Sequence, residues 1–262
     1  MIFMITKQTI NMDDSPHLIT PYNAQHIGRR DEQQDYFAFS DIYNAEEYNR
    51  IGALAILADG MGGLEGGRLA SRTATEVFLD IYTNCESEIP DIDERLVYAA
   101  KKANDAVVKL DGAGTTLCAI VIKDSQLHWL SVGDSRIYLY RNGTLRRLNK
   151  EHNYENVLNE KVESGEISLS EAVNDPNRAA LTSYIGIDEL DEIDINTDIF
   201  PLFKGDSVMM CSDGLYRTLC DEEMAYIVKN AEEDVCDFLI SKALEKNIET
   251  QDNITVVLMD VD

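Results

Sequence analysis

Three aspartates stand where apolar runs meet turn-forming residues. Asp59 follows the run 53–58 and precedes Gly60, Asp213 follows 207–212 and precedes Gly214, and Asp252-Asn253 opens the run 254–258. Turns of this kind can aim carboxylates from distant segments at one point, and carboxylate oxygens on rigid strand ends suit hard dications such as Mg²⁺ and Mn²⁺. A metal site is the first chemistry these residues suggest. Arg30, within Arg30-Asp31-Glu32-Gln33-Gln34-Asp35, adds a planar guanidinium fork that matches phosphate oxygens. Taken alone, that stretch reads as an exposed charged turn. Asp59-Gly60-Met61-Gly62-Gly63 is more specific, because its glycines allow a main-chain carbonyl to approach a cation beside the carboxylate. It is not a dinucleotide or P-loop: the sixth position of a G-x-G-x-x-G match starting at Gly60 is Glu65, and no Gly-Lys-Ser/Thr follows. Gly133-Asp134-Ser135-Arg136, Ser212-Asp213-Gly214 and Asp252-Asn253-Ile254-Thr255 are each ordinary turn chemistry. Their combination carries the information.

Strands must position these turns. Runs rich in β-branched and aromatic residues predict strands at 36–40, 53–58, 115–122, 126–132, 136–140, 207–212 and 254–259, with hairpin turns at 123–125 and 141–143. Helical periodicity predicts a helix over 67–82 with Leu69, Thr73, Val77 and Ile81 on one face. A second spans 92–110 with Leu96, Ala100, Ala103, Val107 and Leu110 on one face, and a third covers 235–246. Helices grouped between batches of hairpin-linked strands argue for an α+β architecture of antiparallel sheets covered by helices, against a parallel strand-helix-strand alternation. The stretch 150–187 is polar and helical in pattern, with breaks at Gly165 and Pro176, and flanks the main body.

A chain of 262 residues, 44% hydrophobic and without a Pro/Gly/Ser-rich linker, reads as one large domain. The division expected is an arm over 1–20 and a single domain over 21–262. With 23 basic and 48 acidic residues the net charge is −25, which argues against extended binding of a phosphate backbone. Most of that acidity is solvated helix surface. No apolar stretch is long enough to cross a bilayer, and residues 1–4 lack the flanks of a secretory signal. Cys85, Cys118, Cys211, Cys220 and Cys236 form no C-x-x-C pair, which fits a reducing cytoplasm. His17, His26, His128 and His152 have no metal-ligand spacing.

Over about residues 24–260 the ordered set Arg30 with Gln34-Asp35, Asp59-Gly60-Met61-Gly62-Gly63, Gly114-Thr115-Thr116, Gly133-Asp134-Ser135-Arg136, Ser212-Asp213-Gly214 and Asp252-Asn253-Ile254-Thr255 resembles the metal-dependent serine/threonine protein phosphatases of type 2C, particularly compact bacterial members. The resemblance implies two antiparallel β-sheets forming a sandwich flanked by helices on both sides, with 150–187 as a flap beside the cleft. It implies two Mn²⁺ or Mg²⁺ ions, Asp59 bridging both, Asp213 and Asp252 holding one, the Gly60 carbonyl helping to hold the other, and Asp35 completing that second shell through water. Asp134, with Asp213, matches the place of a third, weaker ion. The cations would polarise a water for attack on phosphoserine or phosphothreonine, with Arg30 clamping the phosphoryl oxygens. Phosphorylated proteins, a cognate serine/threonine kinase pathway, a cytoplasmic location and a monomer follow as expectations, with no nucleic acid and no membrane as partners. Two positions depart from common family patterns. Met61 stands where many eukaryotic members carry a histidine that protonates the leaving alkoxide, and Gln34 replaces a common glutamate, offering an amide oxygen without charge. The rival readings are a phosphoprotein-binding module without turnover, which loss of a core aspartate would favour, and an acidic calcium-binding protein, for which the D-x-[DN]-x-[DN]-G loop is missing.

Overall fold

Strands buried on both faces need continuous apolar runs rather than alternation, and the computed structural model, which describes residues 18–62, 66–231 and 234–262, places such strands at its centre. Its strands are β1 (Ile19–His26), β2 (Asp35–Phe39), β3 (Ala53–Met61), β4 (Gly114–Thr115), β5 (Leu117–Lys123), β6 (Gln126–Val132), β7 (Arg136–Arg141), β8 (Thr144–Arg147), β9 (Asp194–Ile195), β10 (Ser207–Cys211) and β11 (Ile254–Val261). One sheet runs β1-β11-β10-β7-β8; the other runs β2-β3-β5-β6-β9, with β4 pairing the end of β3. Every pairing between these strands is antiparallel. The helices are α1 (Ala45–Ile51), α2 (Gly66–Asn84), α3 (Ile92–Val107), α4 (Tyr154–Glu163), α5 (Leu169–Val173), α6 (Asp213–Tyr216), α7 (Asp221–Asn230) and α8 (Val235–Glu245).

The period of two divides each strand's side chains between separate cores. In β3, Leu54, Ile56 and Ala58 face α2 and α3, while Ala53, Ala55 and Leu57 face the opposite sheet. In β10, Val208 and Met210 join that inter-sheet core, while Met209 and Cys211 pack under α7 and α8. Helix, sheet, sheet, helix is therefore the layer order, as the family resemblance implies. The hairpins also match: Asp124 and Ser125, and Asn142 and Gly143, all take positive φ, which two-residue turns between twisted strands require.

Several elements differ from the sequence-based expectation. Ile19 and Thr20, assigned to the arm, pair with Val261 and Asp260, so the sheet begins two residues before the expected boundary; residues 1–17 of that arm lie outside the described residues. Pro21 lies within β1, which is an edge strand, where a missing N–H costs no ladder bond. Helix α1 is a single short segment capped by Asn44, whose side chain accepts from the N–H groups of Glu46 and Glu47. The apolar face expected for α2 is rotated: Ala70, Ala74, Phe78 and Tyr82 are buried, whereas Leu69 is 50% exposed and Val77 and Ile81 are only partly covered. Small residues at the buried positions let α2 lie close to α3 and the sheet, and the two aromatic rings stack with centroids 6.3 Å apart. The face expected for 92–110 holds from Leu96 through Val107. In denaturant unfolding, Phe78→Ala should cost about 3–5 kcal/mol and Leu69→Ala less than about 0.5 kcal/mol. The reverse order would restore the original face.

Candidate metal centre

The two sheets meet at the ends of β2, β3, β10 and β11, and there the sequence-derived carboxylates gather. Arg30, Asp59, Gly60, Asp134, Asp213 and Asp252 all line one cavity of about 470 Å³, together with Gln34, Thr116, Asn253 and Arg217. Asp35 lies behind its wall, 3% exposed, directly opposite Asp59 in the β2–β3 pairing. From 150–187, Ala179 and Leu181 form an apolar side. That stretch is tied to the body through Thr115 and Ile185, which exchange two main-chain bonds of 2.9 and 2.8 Å. Gly63 lies outside the described residues.

Close backbone contact makes this convergence possible. A Cβ on Gly60 would sit 2.2 Å from the Gly67 carbonyl oxygen at the start of α2 and 2.6 Å from that of Gln34. A Cβ on Gly214 would sit 2.0 Å from the Asn253 carbonyl oxygen. Only glycine lets these segments touch. Asn253 then fixes the loop that carries Arg30: its Oδ1 accepts from the Gln34 N–H at 2.8 Å, and its Nδ2 donates to the carbonyls of Ile27 at 2.8 Å and Glu32 at 3.1 Å. Thr116 anchors the other side. Its Oγ1 accepts from the Asp59 N–H at 2.9 Å, while its own N–H donates to the Asp59 carbonyl at 2.8 Å.

Asp35 shows what kind of ligand shell this is. Its Oδ2 accepts from Ser212 at 2.8 Å and Thr255 at 2.7 Å, yet its Oδ1 is buried with no hydrogen-bond partner. Burial pushes its pKa up to about 6, against the lowering effect of the two hydroxyls. Asp59 is pushed well above the carboxylate range, first by burial and then by the charges of Asp35, Asp213, Asp134 and Asp252. Asp213 rises to about 7, again chiefly through burial, although Arg217 opposes the shift. Carboxylates held this close repel until protons or cations intervene.

Among the described residues, no three His, Cys, Asp or Glu side chains close on one point tightly enough to enclose an ion alone. Guanidiniums lie among the carboxylates: Arg30 Nη2 binds Asp252 Oδ2 at 2.6 Å, and Arg217 reaches both Asp134 and Asp213. An all-oxygen set with an orphaned carboxylate oxygen and a nearby main-chain carbonyl still fits Mg²⁺ or Mn²⁺, because such ions keep several waters and need few protein ligands. Among the described residues, no histidine lines the cavity. His26 Nδ1 accepts from the Gly28 N–H, His128 binds Asp93, and His152 Nδ1 accepts from the Gly133 N–H, steadying the turn that carries Asp134; His17 lies outside the described residues. Sequence reasoning quoted Asn253, Thr116, Ser212 and Thr255 only as parts of motifs and passed over Tyr216 and Arg217. A signal existed for Arg217 in its spacing of four from Asp213, which pairs side chains on one helical turn.

In the metal-free protein, folded Asp35, Asp59 and Asp213 retain protons that the unfolded chain, with carboxyl pKa near about 3.9, has already released. The folded state binds more protons, so stability should fall as pH rises from about 4 to about 7. Mn²⁺ should flatten that slope by replacing protons with a cation. Denaturant midpoints at about pH 5 and about pH 8, in chelator and in Mn²⁺, check this; a higher midpoint at the upper pH in chelator contradicts it.

Comparison with known proteins extends the same picture. A model of the protein phosphatase 2C family matches residues 23–251. The serine/threonine phosphatase stp of Listeria welshimeri is 33% identical over 222 residues, 79% of this chain and 84% of that protein. PstP of Mycobacterium tuberculosis is 31% identical over 233 residues, 83% of this chain and 42% of that protein. The S. agalactiae serine/threonine phosphatase superposes with a TM-score of 0.79 at 29% identity, covering 93% of this chain and 100% of that one. The catalytic domain of PstP in complex with two manganese ions gives 0.71 at 27% identity, covering 93% and 99%. Agreement of that extent, in sequence and in fold alike, makes this chain a member of the protein phosphatase 2C family.

Proposed function

We propose that this protein is a Mn²⁺- or Mg²⁺-dependent phosphatase of phosphoserine and phosphothreonine in proteins, acting in the cytoplasm as a monomer against a serine/threonine kinase. The observation that carries the reading is the pairing of Asp59 with buried Asp35 on the wall of a cavity that also receives Asp213, Asp252 and Arg30. Asp59 would lie between two cations, Asp213 and Asp252 on one, the Gly60 carbonyl on the other, with Asp35 acting on the second through water. Bound there, the cations supply Lewis acidity that lowers the pKa of a water and offsets phosphate charge.

The chain's own residues do the rest. Arg30, 58% exposed at the cavity mouth, offers its fork to the non-bridging oxygens and spreads positive charge where the loose transition state carries negative charge. Asp252 holds Arg30 within reach and Asn253 holds its loop. Ala179 and Leu181 give the substrate an apolar wall. Met61 lines the cavity with no acid function, so among the described residues no histidine protonates the leaving oxygen and the proton comes from solvent or a lining carboxyl. Retention of every core aspartate favours turnover over phosphoprotein binding alone.

Hydrolysis of a phosphothreonine peptide should require Mn²⁺ or Mg²⁺ and stop in excess chelator; equal rates in both would sink the reading. Asp213→Asn should lower kcat by at least about 10²-fold while the fold persists. Arg30→Ala should lower kcat/KM about 10- to 100-fold, chiefly through KM, as expected for one charge-assisted bond. A fully active Asp213→Asn enzyme refutes the ligand assignment.

A further inference from the structure

At one end of the cavity, Asp134 and Asp213 share a single cation from the chain itself. Arg217 Nη2 donates to Asp134 Oδ2 at 3.1 Å, and Arg217 Nε lies 3.2 Å from Asp213 Oδ2. The two acids come from different places, the β6–β7 turn and the first residue of α6, so one guanidinium bridges them. Arg217 caps α6 four residues after Asp213, and both groups therefore ride on the same helical turn. Tyr216 reinforces the arrangement. Its hydroxyl donates to the same Asp134 oxygen at 3.3 Å, and its ring lies under the Arg136 guanidinium, 3.7 Å from the centroid. Arg136 is bound in turn to buried Glu151. Asp134, itself 6% exposed, thus has a cationic partner whose side chain is 51% exposed, on a braced turn.

We propose that Arg217 is a built-in counter-charge occupying the position between Asp134 and Asp213, and that it limits this metal centre to two ions. This inference rests on the metal-dependent reading above and replaces the expectation that Asp134, with Asp213, holds a third. A further dication at Asp134 would sit within a few ångströms of this guanidinium as well as of the ion on Asp213, and like charges that close repel strongly unless Arg217, whose side chain is 51% exposed, swings out to solvent. Removing the guanidinium without a substitute leaves Asp134 buried beside Asp213 with their repulsion uncompensated. A guanidinium differs from an ion in kind: its single charge is permanent, it is not lost to chelators, and it cannot polarise water as a Lewis acid. Asp134 then acts as a positioning residue, setting Asp213 through Arg217.

Anomalous diffraction from crystals of the full chain soaked in increasing Mn²⁺ locates the ions in the cavity apart from those on the acidic surface. The wild type should show two peaks there at every concentration. Arg217→Gln should gain a third beside Asp134 at high Mn²⁺, and adding Asp134→Asn should remove it. Arg217→Met, which keeps the side-chain stem, serves if the glutamine variant does not fold. A third peak at Asp134 in the wild type, or only two in a folded Arg217 variant at saturation, overturns the inference. Neither result touches the phosphatase reading, which falls only if hydrolysis proceeds without metal.

Discussion

Two carboxylates face each other across neighbouring strands, and the end of the sandwich is organised around the charge they bring there. Asp35 and Asp59 occupy directly opposed positions of an antiparallel pair, where like charges destabilise a sheet. Ser212 and Thr255 reach from the other sheet to one oxygen of Asp35, joining the sheets at this point while leaving the second oxygen unmet. A buried acceptor without a donor costs about 1–3 kcal/mol, more for a charged group. A proton or a bound cation would offset that cost.

Much of the layout surrounding that pair follows from the need for close approach. Strand ends alone would bring carboxylates near one another, but Gly60 against Gly67 and Gly214 against Asn253 remove the side chains that would keep those ends apart. Asn253 and Thr116 then convert proximity into fixed geometry by binding main-chain groups of the loop before β2 and the end of β3. Arg30 and Arg217 hold the remaining acids at the rim. The two arginines are about equally exposed and differ in attachment: Arg30 belongs to a loop, whereas Arg217 caps the same turn as its partner Asp213, next to Tyr216, which binds Asp134.

The chemistry was legible in the sequence where a local rule produced it. Asp59, Asp213 and Asp252 each stand beside a residue that ends or starts an apolar run, and the inter-sheet strands are apolar without interruption because both their faces are covered. What escaped depends on tertiary neighbours. Ile19 and Thr20 read as arm until their pairing with β11 is known, and Leu69 reads as core until the close packing of Ala70 and Ala74 rotates α2 by part of a turn. The work of Asn253 is spread over contacts to residues more than two hundred positions away, which no spacing in the chain announces. Arg217 is concealed for a different reason: an Asp-to-Arg spacing of four is common surface chemistry, and only the fold carries Asp134 to its other side.

Calorimetric titration of Mn²⁺ into the full chain and into Asp59→Asn tests the central claim most directly, because Asp59 is the carboxylate proposed to lie between the two ions. The wild type should bind Mn²⁺ in a saturable step that releases protons, as the raised pKa of its carboxyls requires. The variant should lose that step while keeping its fold. Saturable binding of equal affinity in Asp59→Asn would contradict the account.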